Sequence, residues 1–167
     1  MALTLLRHAP PPPAYQRRYL GHTDIAIDPA CFEPIRLPRA YDTIYSSDLS
    51  RCTQTLEALG YVDFRTDDRL REVRFKDRFE GKSFGEIERM EEYDPSALES
   101  HERWHAFVCD ESIDAFRGRI GAFLSELPAD REILVCTHGG VIREILSQLL
   151  GSSGEVDYLE YTIVSLK

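Results

Sequence analysis

The sequence predicts an α/β protein, a three-layer α/β/α sandwich around a mostly parallel central sheet, on three observations. Leu3 to Leu6 and Ile133 to Cys136 are apolar runs without polar alternation, the pattern of strands covered by helices on both faces. Two stretches, 113–127 and 141–150, carry apolar residues at helical spacing. Strand-like and helix-like stretches then follow one another in turn, as parallel crossover units require.

Each element has its own signal. Leu3 to Leu6 opens the sheet, and the short run Thr43 to Tyr45 reads as a second strand. Leu49, Cys52, Leu56 and Leu59 repeat at helical spacing up to the stop signal Gly60, which predicts a helix from near Asp48 with Arg51 in its first turn. Val62 to Arg65 reads as a short strand. The charge-dense Leu70-Arg71-Glu72-Val73 follows it and makes Glu72 a loop or strand-end residue. Ile113, Phe116, Ile120, Phe123, Leu124 and Leu127 form one stripe of an amphipathic helix ended by Pro128. Behind the strand Ile133 to Cys136, the stripe Val141, Ile142, Ile145, Leu146, Leu149 and Leu150 predicts a helix stopped by Gly151. Leu159 to Leu166 reads as a further strand, at an edge.

A chain of 167 residues suits one domain, 1–167, because chains of roughly 150 residues bury about 70% of their extended surface. The formal charge of −9, from 20 Lys+Arg against 29 Asp+Glu, opposes nucleic acid or an anionic membrane as a general partner. An anionic substrate therefore needs positive charge gathered locally. The apolar start Met1 to Leu6 is too short for a secretory leader, and no stretch approaches the roughly 20 apolar residues of a membrane span, so a cytoplasmic location is expected. Cys31, Cys52, Cys109 and Cys136 are scattered and form no CxxC pair, so they read as reduced packing residues.

The chemistry gathers at strand ends. Arg7-His8 follows the first strand, His138 follows the strand Ile133 to Cys136, and Arg51 follows Ser46-Ser47-Asp48-Leu49-Ser50. In open α/β sheets the carboxyl ends of the strands line the ligand crevice. An imidazole is a nucleophile when its attacking nitrogen is unprotonated and the other nitrogen is held by a hydrogen bond. Arginine forks match a tetrahedral oxyanion, and Gly139-Gly140 after His138 permit close approach to a helix N-terminus that favours anions. Phosphoryl transfer needs little beyond placement and charge neutralisation, which two arginines and two histidines supply without a metal or organic cofactor. A proton donor is still required, and Glu72 is the candidate if a dry pocket or nearby carboxylates raise its pKa.

Leu5-Leu6-Arg7-His8, Tyr45 to Arg51, Leu70-Arg71-Glu72 and Thr137-His138-Gly139-Gly140-Val141-Ile142-Arg143 resemble, in order and spacing, the histidine phosphatase superfamily, the branch that contains cofactor-dependent phosphoglycerate mutases. Gly21 to Ile25 and Phe79 to Ile87 look like its intervening segments. The resemblance implies a phosphoglycerate mutase-like fold and a phosphohistidine on His8. It further implies that Glu72 protonates the leaving group and then activates water, that Arg7, Arg51 and His138 hold the phosphoryl oxygens, and that Gly21 and Gly139 lie at the substrate. The chain departs from the family pattern at Ala9-Pro10-Pro11-Pro12-Pro13, where Gly and then Thr and Asn are usual. Arg7-His8-x-Pro10 with Gly21-x-x-Asp24 is similar to the α-ribazole phosphatase subgroup, although its Gly-Gly-Glu-Ser segment is reduced here to Asp110-Glu111-Ser112. Family mutases also carry longer insertions over the substrate, which favours hydrolysis here.

The expected activity is thus a metal-independent phosphomonoesterase acting on a small phosphorylated metabolite. Mutase-type phosphoryl transfer and protein phosphohistidine hydrolysis are the alternatives, and a non-catalytic phospholigand binder is a third class. A distant rival is zinc hydrolysis at His101-Glu102-Arg103-Trp104-His105, a literal H-E-x-x-H string that lacks an evident third ligand. A partly exposed helix with Trp104 packed inward is the simpler reading. Pro10 to Pro13 reads as a stiff loop at the pocket mouth. The cations Arg69, Arg71, Arg74, Lys76, Arg78 and Lys82 read equally as substrate steering or as a solvated surface. The sequence leaves the oligomeric state open, a dimer included.

Overall fold

A computed structural model describes residues 2–152 and 154–165. In chain order its elements are β1 (Ala2–Arg7), β2 (Thr43–Ser46), α1 (Ser50–Ala58), β3 (Arg65–Thr66), α2 (Phe84–Ile87), α3 (His101–Val108), α4 (Ile113–Ser125), β4 (Glu132–Thr137), α5 (Gly139–Leu150) and β5 (Tyr161–Ser165). The five strands form one sheet in the order β3-β2-β4-β1-β5. β4 pairs parallel with both β1 and β2, β2 pairs parallel with β3, and β5 runs antiparallel beside β1 at the edge. The expected edge strand is therefore present, with Leu166 outside the described residues.

The strands are apolar throughout because successive side chains enter different cores. Leu3, Leu5, Ile133 and Val135 pack with Phe116, Ile120 and Phe123 of α4 and with Val141, Ile142 and Ile145 of α5. Leu6, Leu134 and Cys136 face the other way, onto Cys52 and Leu56 of α1 and onto Leu37. Helices on both faces of a mostly parallel sheet are the architecture the unbroken apolar runs called for.

Two boundaries differ from the sequence expectation. The strand expected over Val62 to Arg65 is Arg65–Thr66, paired Tyr45 to Arg65 and Ser46 to Thr66. Tyr61 and Phe64 instead pack on the Leu6 core. Helix α1 starts at Ser50 rather than near Asp48, whose carboxylate is bound bidentately by Arg71 at 2.7 and 2.6 Å. The cap comes from a distant residue: Asp24 accepts from Ser50 N and from Ser50 Oγ, both at 2.7 Å. Gly60 and Gly151 adopt left-handed backbone just past α1 and α5, as their stop signals required.

Phe123 of α4 is fully buried and meets Tyr45 of β2 edge to face at 5.3 Å. Phe123→Ala removes the ring that joins helix to sheet, and a loss of about 3–5 kcal/mol is expected in urea unfolding.

Candidate active site

Three neighbouring parallel strands, β2, β4 and β1, end at the same level. The register runs Ser46 to Cys136 and Arg7 to Thr137, and it continues one residue further as His8 N donates to Thr137 O at 3.0 Å and Ser47 N to Cys136 O at 2.9 Å. His8 and His138 thereby become neighbours, with ring centroids 5.2 Å apart. Arg51 enters from the first turn of α1, below the edge formed by Ser47.

His8 is 6% exposed, and its Nδ1–H donates to the Ala9 carbonyl at 2.7 Å. A carbonyl can only accept, so Nδ1 carries the proton and Nε2 keeps its lone pair. Ala9 N donates in turn to Thr55 Oγ1 of α1 at 2.8 Å, which fixes the acceptor that fixes the ring. Burial, then the Arg51 and Arg7 charges, push the His8 pKa well below the usual histidine range, against the opposing pull of the Ala9 bond.

Arg51 is 1% exposed. Its Nη1 donates to Thr23 O, its Nη2 to Leu20 O and Gly21 O, and its Nε to His138 Nδ1 at 3.2 Å. The fork expected to face a phosphoryl group is thus largely occupied by the chain itself. His138 consequently holds its proton on Nε2, which donates to Ser47 Oγ at 2.9 Å. Its pKa is also pushed well down, by burial first and then by Arg51 and His8. Both imidazoles are neutral at pH 7.

Arg7 is differently placed. Its Nη1 donates to Val156 O at 2.9 Å, its guanidinium lies 4.1 Å from the Tyr158 ring centroid, and its buried Nε has no partner among the described residues. A Cβ on Gly139 would meet that guanidinium at 3.4 Å, ordinary van der Waals contact, so Arg7 lies directly against the start of α5.

The N-terminus of α5, expected to receive an anion, is met by a side chain of the protein itself. Glu72 Oε2 accepts from Gly140 N at 2.9 Å and Oε1 accepts from Val73 N at 3.0 Å. Any side chain at Gly140 would collide with that carboxylate. Glu72 lies in the loop past the turn at 68–70, as expected.

Arg7, His8, Glu72, Gly139 and Gly140 share the wall of a cavity of about 710 Å³ that continues past Tyr19, Phe75 and Trp104. Gly21 stands behind this wall. It is buried against the Val73 carbonyl, its N–H donates to the Glu80 carboxylate and its carbonyl accepts from Arg51, so it supports the site without lining it. Pro10 to Pro13 also turns away, its carbonyls accepting from Asp28 N, Gln16 Nε2 and Tyr15 N, and the cavity wall passes from His8 to Arg18. Tyr158 stands beside His8 in that wall, with ring centroids 5.6 Å apart.

His101 and His105 stand on α3 and line the far part of the cavity. His105 Nε2 donates to Glu111 O at 2.8 Å, which gives that ring a structural bond, and among the described residues no three His, Cys, Asp or Glu side chains gather as a metal-holding group. Arg69, Arg71 and Arg74 pair with Asp67 and Glu126, Asp48, and Asp110, while Lys76 Nζ donates to Ala106 O and Phe107 O. Those cations are held by the fold. Sequence reasoning missed Tyr158, which precedes a predicted strand without any motif, and Arg119, an ordinary polar position in the stripe of α4.

A family model described as the histidine phosphatase superfamily, branch 1, matches residues 3–162. Among solved structures, the Thermus thermophilus protein TTHB049 is 33% identical, with a TM-score of 0.76 over 99% of this chain and 94% of its own. A Thermus thermophilus structure described as phosphoglycerate mutase is 31% identical, TM-score 0.76, over 99% and 93% of the two chains. The α-ribazole phosphatase of Shigella flexneri is 20% identical with a TM-score of 0.82 over 100% and 91%, a likeness of fold. No curated protein matches the sequence. No helix among the described residues is long and apolar enough to cross a membrane.

Two histidines buried neutral make stability depend on pH. Their folded pKa values lie below the unfolded value of about 6.5, so the unfolded chain binds more protons beneath that pH. Stability is fully present above about pH 6.5 and falls as pH drops below it. Thermal melts from pH 7.5 to 5 are expected to show this decline, with a shallower slope in a His8→Asn/His138→Asn double variant.

Proposed function

The chain belongs to the histidine phosphatase superfamily, and we propose that it is a metal-independent phosphomonoesterase that works through a phosphohistidine on His8. One observation carries this reading: the bond from His8 Nδ1–H to Ala9 O, in a dry wall beside two guanidinium groups, leaves Nε2 as the free, unprotonated nitrogen. The Arg7 guanidinium in the wall of the same cavity supports it as a donor for an oxyanion.

In the proposed first step the Nε2 lone pair attacks phosphorus and the P–O ester bond breaks. The departing oxygen takes the proton that the Glu72 carboxyl carries at the start of the step; each carboxyl oxygen accepts one backbone N–H and keeps one further position where that proton can sit. In the second step water attacks the phosphohistidine and gives its proton to Glu72. The P–N bond then breaks, the electron pair returns to Nε2, and inorganic phosphate leaves. Arg7 holds equatorial oxygens. Arg51 contributes charge and holds His138 in one tautomer, and His138 reaches a phosphoryl oxygen only by exchanging its Ser47 partner.

The substrate is a small phosphorylated metabolite, for which the 710 Å³ cavity and its aromatic far wall have room. A mutase reading draws on the similar Thermus thermophilus structure described as phosphoglycerate mutase, and a phosphoglycerate interconversion assay beside a phosphate-release panel separates the two. A cytoplasmic setting accords with four free thiols.

His8→Asn is expected to abolish phosphate release from aryl phosphates and to prevent an acid-labile, base-stable protein-bound phosphate in rapid-quench labelling. Activity that persists in His8→Asn overturns the mechanism. Gly140→Ala displaces the Glu72 carboxylate while leaving the fold intact, and kcat/KM for phenyl phosphate is expected to fall on the order of tenfold or more.

A further inference from the structure

We propose that Arg119 is a positioning residue for Glu72, acting through the Glu72 carbonyl; the inference rests on Glu72 being the proton donor proposed above. Arg119 stands on α4, its Nη2 donates to Glu72 O at 3.1 Å, and its Nη1 donates to Arg69 O, at the start of the same loop. Its other edge grips the Glu111 carboxylate, Nε to Oε1 at 2.6 Å and Nη2 to Oε2 at 3.0 Å.

The two partners are largely buried, with side chains 18% and 15% exposed, so this bidentate pair is better shielded than a surface one. Glu111 is itself tied down: its carbonyl accepts from His105 Nε2, and its N–H and Oε2 meet the Arg74 carbonyl and N–H, both at 3.3 Å. His22 Nε2 donates to the Glu72 carbonyl as well, at 2.9 Å, so both lone pairs of that oxygen are taken by side chains from distant segments.

The consequence for the carboxylate follows from peptide geometry. The Glu72 carbonyl and the Val73 N–H belong to one planar unit, so fixing the oxygen fixes the direction of the N–H. That N–H is the donor to Glu72 Oε1. Arg119 and His22 therefore aim the carboxylate by orienting the plane that holds one of its oxygens, while Gly140 N holds the other. Only a planar guanidinium spans two carbonyls and a carboxylate at once, a task an ammonium group cannot repeat.

The test is the dependence of rate on leaving group, because an acid that protonates the departing oxygen matters most when the leaving alcohol is strongly basic. Glu72→Gln, Arg119→Lys and His22→Gln are assayed on p-nitrophenyl phosphate, phenyl phosphate and glycerol phosphate. Arg119→Lys is expected to lose roughly 10- to 100-fold in kcat/KM on phenyl and glycerol phosphate and under about threefold on p-nitrophenyl phosphate, since kcat/KM covers only the steps up to departure of the alcohol and excludes the shared hydrolysis step. His22→Gln is expected to lose activity in the same order to a smaller extent, and it carries the test if Arg119→Lys fails to fold. Uniform losses in kcat/KM across the three substrates, or none, overturn the positioning role. A flat profile in Glu72→Gln instead removes the assignment of Glu72 as the donor, and this inference with it.

Discussion

Burial of the Arg51 guanidinium is the constraint on which the rest of the site depends. Removing such a charge from water costs several kcal/mol unless its donors find acceptors, and here the acceptors are the carbonyls of Leu20, Gly21 and Thr23 and the Nδ1 of His138. Each acceptor is thereby committed. The 20–24 segment is drawn onto α1, where Asp24 caps the helix that carries Arg51, and His138 is restricted to one tautomer. The same charge, with burial, keeps both imidazoles neutral. One arginine therefore organises loop, helix start and ring chemistry together.

The sheet supplies the second layer of control. Parallel pairing of β4 with both neighbours sets the ends of β1, β2 and β4 level to within a residue, and covalent geometry does the rest. A side chain placed directly after a strand inherits the rigidity of the ladder, so His8 and His138 need no loop to bring them together. The loops carry the adjustable groups. Glu72 is steadied by the dipole and first N–H groups of α5 and by donors from the 20–24 segment and α4, whereas Arg7 is steadied by the 156–158 segment.

The elements most legible in the sequence were those with local causes. Buried strands declared themselves by unbroken apolar runs, α4 and α5 by their stripes, and helix ends by Gly60 and Gly151, whose left-handed backbone follows from the residue type. His8, His138 and Arg51 were legible as candidates because strand ends can be read from neighbouring residues, whereas Glu72 was singled out mainly by the family resemblance. Boundaries were less so: β3 waited on the packing of Tyr61 and Phe64 against the Leu6 core, and α1 waited on a cap from Asp24 because Asp48 was bound by Arg71.

By itself the sequence determined which residues would stand at the carboxyl edge of a helix-covered sheet, since burial pattern and spacing are properties of the chain. Only the tertiary structure decided that β4 lies between β1 and β2, that Arg51 turns its donors to main-chain carbonyls, and that Glu72 occupies the anion position at α5. It also set Tyr158 beside His8. The physical reason is that donors and acceptors compete across distances of many tens of residues, and the winning partners are chosen by geometry that exists only once the strands have paired.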